Sequence, residues 1–391
     1  KADKLKVLLK RELDLFRDSG FNTLRIEGAP APSALYDLAD EFGVLIFAGV
    51  AKPQHYARAA DWESAVENLA LRDRNHASLV AWCDAHVHYP NARPSDALPS
   101  SCAPELRQLD PSRLILCDAR HNGDAALLRP YRDEGEDYVS LDDSLVPPVT
   151  QSMKDYLRLS GDPGRLNYQS CLSVGGVGEW QDGSPSSKQD QAEFESNFAA
   201  RKLDRCFGGT KEFAVASQSL QLSGLGVQID ALRSNIKAAG YGVESLCDGP
   251  STTPFGLADI KRVAKPILKS LKQVQQSVRP VVQIYKTNLV PREEVSVTIL
   301  LINEARVEGR GELSLQVVGP TNQVLWKKKR LVKIPRHGRE LWAGEIAASG
   351  SPGPHRFVVR LIQDRRVIGE NSVDLHVVEP QKSEPVEINI I

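Results

Sequence analysis

The chain has 391 residues, of which 41% are hydrophobic and 25% charged, an ordinary composition for a globular protein with more than one core. Its formal net charge of −1 gives no electrostatic reason to expect nucleic acid or an anionic membrane as a partner. No run of about 18 apolar residues occurs, so we expect no membrane span, and no signal peptide is recognisable. The six cysteines are scattered without a Cys-x-x-Cys pair. They predict no metal site, and no sequence feature indicates a cofactor.

The first 275 residues alternate helical patterns with short apolar runs, which is typical of β/α architecture with a parallel sheet. The first helix is predicted over residues 3–19, with Leu9 and Leu13 at helical spacing and Gly20 as its stop. Strand-like runs follow at residues 22–27, 43–48, 78–86, 112–117, 137–141, 169–174 and 238–246. Helical patterns lie between them at residues 33–42, 60–73, 103–109, 151–159, 188–205 and 211–234.

Seven strands with interleaved helices predict an α/β fold, a (β/α)8 TIM barrel that lacks its first strand. The chain opens on the helix that should follow that strand. We therefore expect the strand, and further domains, to lie upstream in the same parent chain. An open doubly wound sheet is the alternative, and it is disfavoured because no glycine-rich phosphate loop follows any of the strands.

The pattern changes after a last predicted helix at residues 257–272. Residues 280–380 read as period-two strands separated by turns, which predicts an all-β immunoglobulin-like sandwich. The predicted strands are 281–286, 295–303, 313–318, 324–331, 341–346, 356–363 and 371–378. Residues 381–391 are expected to form a tail.

The most informative motif runs from Arg74 to Val87, and it reads as a helix end, a turn and a buried strand with polar groups at its tip. Its letters RNHASLVAWCDAHV resemble the pattern R-N-H-P-S-(apolar)-W-(S/C)-G-N-N-E of glycoside hydrolase family 2, the β-galactosidase, β-glucuronidase and β-mannosidase group. Other segments follow the family in the same order: ELDLFRDSGFNTLRIEGAPAPSALYDLADEFGVLIF, LRQLDPSR and AVASQSLQLSGLGVQIDALRSNIKAAGYGVESLCD. A trailing immunoglobulin-like domain is also common in that family.

The resemblance implies a retaining mechanism, with one carboxyl group as acid/base and a second as nucleophile. In the family the acid/base is the Glu that closes the first motif, and an ungapped alignment places Val87 there. A slip of one residue places His86 there instead, and a histidine can act as a general acid. The alternative interpretation of His86 is a strand-end group satisfied by a hydrogen bond.

Two alignments compete for the nucleophile. The run from Cys171 to Gly176 resembles the family pattern L-S-E-(Y/F/I)-G-G and places Val174 at the nucleophile position. The run from Gly178 to Pro185 resembles S-E-F-G-F-Q-S-x-P and makes Glu179 the nucleophile. The first alignment is favoured because it keeps the serine and both glycines at the strand end.

Polar and aromatic residues near the strand ends are the candidate substrate contacts. Arg25 matches a family arginine, Asp248 matches a strand-end aspartate, and Trp180 is expected to be the more exposed of two candidate sugar-stacking rings. The histidines near Asp84 alternate along an extended segment, and solvated side chains are favoured there over a metal site. The full set is Arg25, Glu27, Trp82, Asp84, His88, Trp180, Tyr241 and Asp248.

Two other functions find little support in the sequence. No G-x-S-x-G elbow occurs, so a serine hydrolase is not expected. The basic run from Trp326 to Arg330 is of a kind that contacts polysaccharide or nucleic acid, but on a strand it is more often a solvated edge.

The sequence therefore predicts a carbohydrate-active protein related to the family 2 β-glycosidases, with β-linked glycans or glycosides as partners. Because Val87 and Val174 stand where the family has its carboxylates, we expect weak activity or glycan binding. One alternative is an active retaining exo-β-glycosidase that uses Glu179 as nucleophile. Another is a structural module of a larger cell-surface protein. The resemblance slightly favours a secreted or periplasmic location.

Overall fold

A computed structural model describes residues 2–26, 30–50, 58–84, 102–119, 138–141, 149–161, 166–177, 185–249, 254–348 and 350–379. The chain divides into two compact units. The first comprises Lys1–Leu232 with Lys237–Gln273, and the second comprises Arg233–Ile236 with Val274–Ile391. Within the described residues, no helix combines the length and apolar character that crossing a membrane requires.

The first unit is built on a parallel sheet of seven strands that pair in the order in which they occur along the chain. The strands are β1 Thr23–Arg25, β2 Leu45–Gly49, β3 Leu79–Asp84, β4 Leu114–Ala119, β5 Tyr138–Leu141, β6 Leu166–Leu172 and β7 Ala238–Val243. Each overlaps one of the seven predicted strands. The order has no reversal, and a reversal is what defines a doubly wound sheet, so the sheet topology argues against that alternative.

Helices precede and connect these strands, close to the predicted positions. They are α1 Ala2–Ser19, α2 Ser33–Phe42, α3 Ala59–Asp73, α4 Ala103–Leu109, α5 Gln151–Leu159, α6 Pro185–Ala200, α7 Asp204–Phe207, α8 Thr210–Arg233 and α9 Pro266–Val274. Helix α1 buries Leu9, Leu13 and Phe16 on one face, which is the periodicity that predicted it. Gly20 has a φ of 86°, a left-handed conformation that glycine adopts without strain and that ends the helix.

The predicted helix at residues 257–272 is wrong in its first half. Ala258 instead forms bridges with both Cys247 and Ala264, so this segment is extended and pairs with its neighbours. The helix begins only at Pro266, whose ring fixes a helical φ and which has no N–H to leave unpaired in the first turn. The apolar residues that mimicked a helical pattern, such as Leu257 and Ala258, are buried in this extended segment.

Two of the motifs that resemble the family meet at the start of β3. The carboxylate of Asp40, on α2, accepts hydrogen bonds from the Ser78 backbone N–H (2.6 Å) and pairs with Nδ1 of His76 (2.7 Å). Burial raises the pKa of Asp40, but the hydrogen bonds from His76 and Ser78 outweigh it and leave this pKa below its ordinary value. The helix that packs on β2 is thereby tied to the turn that enters β3.

A third motif, LDPSR, fixes the same turn from the other side. The guanidinium of Arg113 donates to the carbonyl oxygens of Leu79 (2.5 Å), Arg74 (2.9 Å) and His76 (3.0 Å). Asp110 accepts a hydrogen bond from Nε1 of Trp82 (3.0 Å), whose side chain is fully buried. The residues that carry the resemblance therefore hold β3 and β4 together where these strands begin.

The second unit consists of two sheets. The strands are β8 Val278–Ile284, β9 Asn288–Leu289, β10 Glu294–Asn303, β11 Arg310–Val318, β12 Val324–Lys333, β13 Arg339–Ala347, β14 Gly353–Gln363 and β15 Arg366–Val377. One sheet has three strands in the order β13-β10-β8, and the other has five in the order β12-β11-β14-β15-β9. Most of their buried apolar residues form one hydrophobic cluster, which includes Ile299, Leu315 and Phe357, and a smaller cluster lies on β8 and β10.

Replacing Asp40 with alanine should lower the free energy of unfolding by about 1 kcal/mol at neutral pH, because the Ser78 N–H and His76 both lose their partner. The folded-state pKa of Asp40 is depressed, so its contribution is complete above about pH 5 and is lost as the pH falls through that pKa. Urea denaturation of Asp40→Ala, with the exposed Asp37→Ala on the same helix as control, measures the effect. Equal losses in both variants would contradict the network.

Candidate functional site

A cavity of about 330 Å³ lies where the two ends of the seven-stranded sheet approach each other. Strand β1 lines one side and β7 lines the other, and these strands are the first and last in the sheet order. The ring of Phe21, just before β1, lies 6.0 Å from the ring of Tyr241 on β7, edge to face. The lining residues are Phe16, Phe21, Thr23, Leu24, Arg25, Tyr168, Tyr241, Gly242, Val243, Glu244, Ser245, Leu246 and Leu257.

Two side chains of opposite charge line this cavity at the carboxyl ends of the strands. Arg25 is the last residue of β1, and Glu244 follows directly on β7. Because parallel strands share the direction of their carboxyl ends, both residues lie at the same edge of the sheet. The backbone N–H of Glu244 donates to the carbonyl of Leu172 at 3.1 Å, which anchors this position to β6. Arg25, Glu244 and Ser245 thus line one concave surface, and the hydroxyl of Ser245 donates to the carbonyl oxygen of Cys247 at 2.6 Å.

Aromatic rings form part of the apolar wall, beside aliphatic side chains such as Leu24 and Leu257. Tyr168, on β6, packs edge to face against Phe47 with ring centroids 5.6 Å apart. A Cβ at Gly240 would lie 3.1 Å from the Tyr168 ring, so a glycine at this position leaves the space that the ring occupies. Rings beside a few polar groups are the usual composition of a small-molecule site, and aromatic faces suit the apolar faces of sugars.

The segment that leaves β6 is fixed by side chains of α8 and by Lys265. Val177 donates its N–H to Oγ of Ser217 (2.9 Å) and accepts from Nε2 of Gln218 (2.7 Å). Nζ of Lys265 donates to the carbonyl of Gly176 at 2.6 Å. Within this segment the side chain of Val174 is buried, with 3% of its surface exposed.

Asp248 and Lys265 form a buried ion pair that holds the segment after β7. Nζ of Lys265 donates to Oδ1 of Asp248 at 2.9 Å, and the same oxygen accepts the N–H of Gly256 at 2.8 Å. Burial raises the pKa of Asp248 above its ordinary value despite the opposing hydrogen bond from Lys265. Burial likewise lowers the pKa of Lys265, and Asp248 opposes that shift.

The structure brings together only part of the predicted set. Arg25 and Tyr241 line one cavity, whereas Asp248 is engaged by Lys265 nearby in the same unit. Trp82 has no exposed surface, which favours core packing over sugar stacking for this ring. Asp84 ends β3, but its side chain lies outside the described residues. Also outside them are Glu27, His86, Val87, His88, Glu179 and Trp180.

Sequence reasoning missed Glu244 and Tyr168. Glu244 fell inside the predicted strand 238–246, so it was not seen as a strand-end group; β7 in fact ends at Val243. Tyr168 preceded the predicted strand 169–174, but β6 begins at Leu166 and carries the tyrosine into the cavity wall. Among the described residues, no group of three or more metal-binding side chains occurs.

Comparison with known proteins places this fold among β-glycosidases, although no family model matches the chain. A Formosa agariphila protein with a provisional β-glucuronidase name is 33% identical over 127 residues, 29% of this chain and 11% of that protein. The β-glucuronidase of Rattus norvegicus is 24% identical over 133 residues, 32% of this chain and 20% of that enzyme. The β-D-mannosidase of Dictyoglomus thermophilum matches in structure with a TM-score of 0.63 and 18% identity, over 96% of this chain and 49% of that one.

The predicted resemblance to the family 2 β-glycosidases is confirmed. The structural match shows an α/β fold with helices and sheets like those of the mannosidase. The chain spans about half of the mannosidase and a fifth or less of the two glucuronidases. The sequence similarity is thus confined to part of the chain, while the structural similarity covers nearly all of it.

Replacing Lys265 with methionine should lower the free energy of unfolding by about 3–5 kcal/mol, because the Asp248 carboxylate is left buried without its cation. Adding Asp248→Asn should recover part of that loss, since the neutral amide needs no counter-charge. Chemical denaturation of both single variants and the double variant measures the coupling, with the exposed Lys269→Met as control. Strict additivity would show that the two side chains do not act as a pair.

Proposed function

We propose that this chain is a carbohydrate-active relative of the family 2 β-glycosidases, in which the cavity between β1 and β7 binds a β-linked glycan or glycoside. The observation that carries the proposal is the set of groups in that cavity. A cation, a carboxyl group, a hydroxyl and two tyrosine rings converge at the carboxyl ends of parallel strands, where β/α proteins place their ligands.

The proposal includes a (β/α)8 barrel that lacks its first strand. Seven parallel strands in sequential order support it, as does the approach of β1 and β7 across one cavity. A second cavity of about 240 Å³, under α1, shares Leu24 and Leu246 with the first. The two cavities together leave room between the end strands, which a strand from an upstream part of the same parent chain would fill. The two packed sheets of the second unit are proposed to be an immunoglobulin-like sandwich.

Weak or absent hydrolysis is part of the proposal. A retaining glycosidase needs two carboxyl groups about 5–5.5 Å apart, and valines align with both positions in the favoured alignment. Val174 is an apolar, buried side chain that can neither attack a sugar nor transfer a proton. In this view Arg25 and the tyrosines bind the sugar without breaking its glycosidic bond.

An active enzyme that uses Glu179 as nucleophile, with His86 as acid/base, is the second candidate. The observation that favours it is the sequence match from Gly178 to Pro185, which directly follows the anchored residues Gly176 and Val177. A nucleophile must be held within a fraction of an ångström of its productive geometry.

Binding and hydrolysis distinguish these candidates. Isothermal titration with methyl β-glucuronide, β-mannoside, β-galactoside and β-glucoside should give saturable binding of at least one. Arg25→Met should weaken that binding at least tenfold, which corresponds to about 1.4 kcal/mol for the lost charged hydrogen bonds. The exposed Arg201→Met serves as the control with the same change of charge. Retained affinity in folded Arg25→Met would remove the cavity from the proposal.

The aryl β-glycosides of the same four sugars should show little or no turnover, and Glu179→Ala should not change it. Release of the aryl group, followed by spectroscopy, measures this directly. Turnover that disappears in a folded Glu179→Ala variant would establish the enzyme and refute the alignment that places Val174 at the nucleophile position.

A further inference from the structure

Strand β12 is an edge strand of the five-stranded sheet, and it carries a dense series of cations. Lys327, Lys329 and Lys333 alternate along it and therefore share one face. Arg310, on β11, pairs directly with Lys333 in the register and lies on that face too. All four side chains are exposed. They are called the basic face below.

The acidic side chains of the second unit neutralise only part of the basic face. Lys329 forms an ion pair with Glu312 at 2.8 Å. No ion pair involves Lys327, Lys333 or Arg310 in the described part of the chain. Arg310 and Lys333 stand directly opposite each other, and like charges so placed repel. An anion bound between them would relieve that repulsion.

Protection of an edge strand against aggregation explains some lysines, but it does not explain the apolar side chains between them. Leu331 is 71% exposed and alternates with the lysines on the same face, and Leu325, 41% exposed, lies two residues before Lys327 at an irregularity in the strand register. Exposed leucines beside an unpaired edge would favour aggregation rather than prevent it. The other face of β12 is used internally, because Nζ of Lys328 lies 5.4 Å from the ring centre of Trp342 on β13.

We propose that the basic face, with Leu325 and Leu331, binds an acidic polysaccharide whose sugars carry carboxylates. The cations pair with the carboxylates, and the leucines contact the apolar faces of the sugar rings. From Lys327 to Lys333 the strand extends about 20 Å, so a polymer can contact the whole series while a single sugar cannot. The choice of a glycan rests on the proposed function, whereas the surface itself does not depend on the cavity in the first unit.

Nucleic acid fits this surface less well. The basic face holds four cations, one of which is already paired with Glu312, so it can neutralise only a few phosphates of a duplex. A polyuronate also has apolar ring faces that match the leucines, whereas a duplex presents phosphates on its outside.

The probe is polygalacturonate, and binding to the immobilised protein is followed by biolayer interferometry at low ionic strength and at about 0.3 M salt. Binding should be measurable at low salt and at least fivefold weaker at the higher salt. The triple variant Lys327→Gln, Lys329→Gln, Lys333→Gln should bind at least tenfold more weakly. Lysine-to-arginine changes at the same positions should retain binding. The control is Lys4→Gln, Lys6→Gln, Lys211→Gln, which removes the same charge from the first unit.

The result that would overturn the proposal is polygalacturonate binding that is absent, or that is equal in the glutamine triple and the control. Equal or tighter binding of a DNA duplex would also overturn it, by showing a general polyanion surface. Because Arg25→Met and Glu179→Ala leave the basic face intact, they should not change polygalacturonate binding to this face. Failure of the glycoside experiments and failure of this one are therefore distinguishable.

Discussion

The first unit depends most on one interaction, in which the guanidinium of Arg113 donates hydrogen bonds to three backbone carbonyl groups near the start of β3. In a sheet, a slip of one residue would move every side chain of a strand to the opposite face. Arg113 immediately precedes β4, so its bonds to the turn before β3 fix the register of these two strands. Trp82 and Asp110 add a buried hydrogen bond between the same elements, and Asp40 ties in α2.

The residues that stabilise the fold and the residues that line the candidate site lie at different ends of the strands. Three stretches of the matching sequence, around Asp40, from Arg74 to Trp82 and at Asp110 to Arg113, meet where β3 and β4 begin, whereas Arg25 and Glu244, from the first and last matching segments, lie at the carboxyl ends of β1 and β7. In (β/α) barrels, residues at the amino-terminal ends of the strands serve stability, and residues at the carboxyl-terminal ends serve function. A chain can therefore keep the fold signal strongly while its reactive groups change. The buried Val174, which the favoured alignment places at the nucleophile position, is the proposed example of such a change.

Much of the fold was predictable because periodicity reports burial directly. The alternation in β10, with Val295, Val297 and Ile299 buried, is the pattern that predicted a strand there. The same logic failed at Leu257 and Ala258, because short apolar runs are ambiguous and bridges to Cys247 and Ala264 decided their conformation. The two-residue strand β9, Asn288–Leu289, is too short to have a period and was not predicted.

The candidate site was harder to predict than the fold. Arg25 and Tyr241 were identified because each lies at or near a strand end, but their proximity depends on how the sheet brings its first and last strands together. Glu244 was missed because its position relative to the end of β7 was wrong by three residues. The ion pair between Asp248 and Lys265 joins residues 17 positions apart. The chain between them has no regular hydrophobic period, so nothing in the sequence indicated that the two side chains meet.

The most direct test of the central claim, that the fold persists with its glycosidase carboxylates replaced, is covalent trapping. The protein is incubated with 2-deoxy-2-fluoro glycosides of glucuronic acid, mannose, galactose and glucose, and its intact mass is measured. The account predicts no adduct from any of the four reagents, even at concentrations that saturate binding of the parent sugar. A stoichiometric adduct, located by peptide mapping on Glu179, would contradict it and establish a working nucleophile.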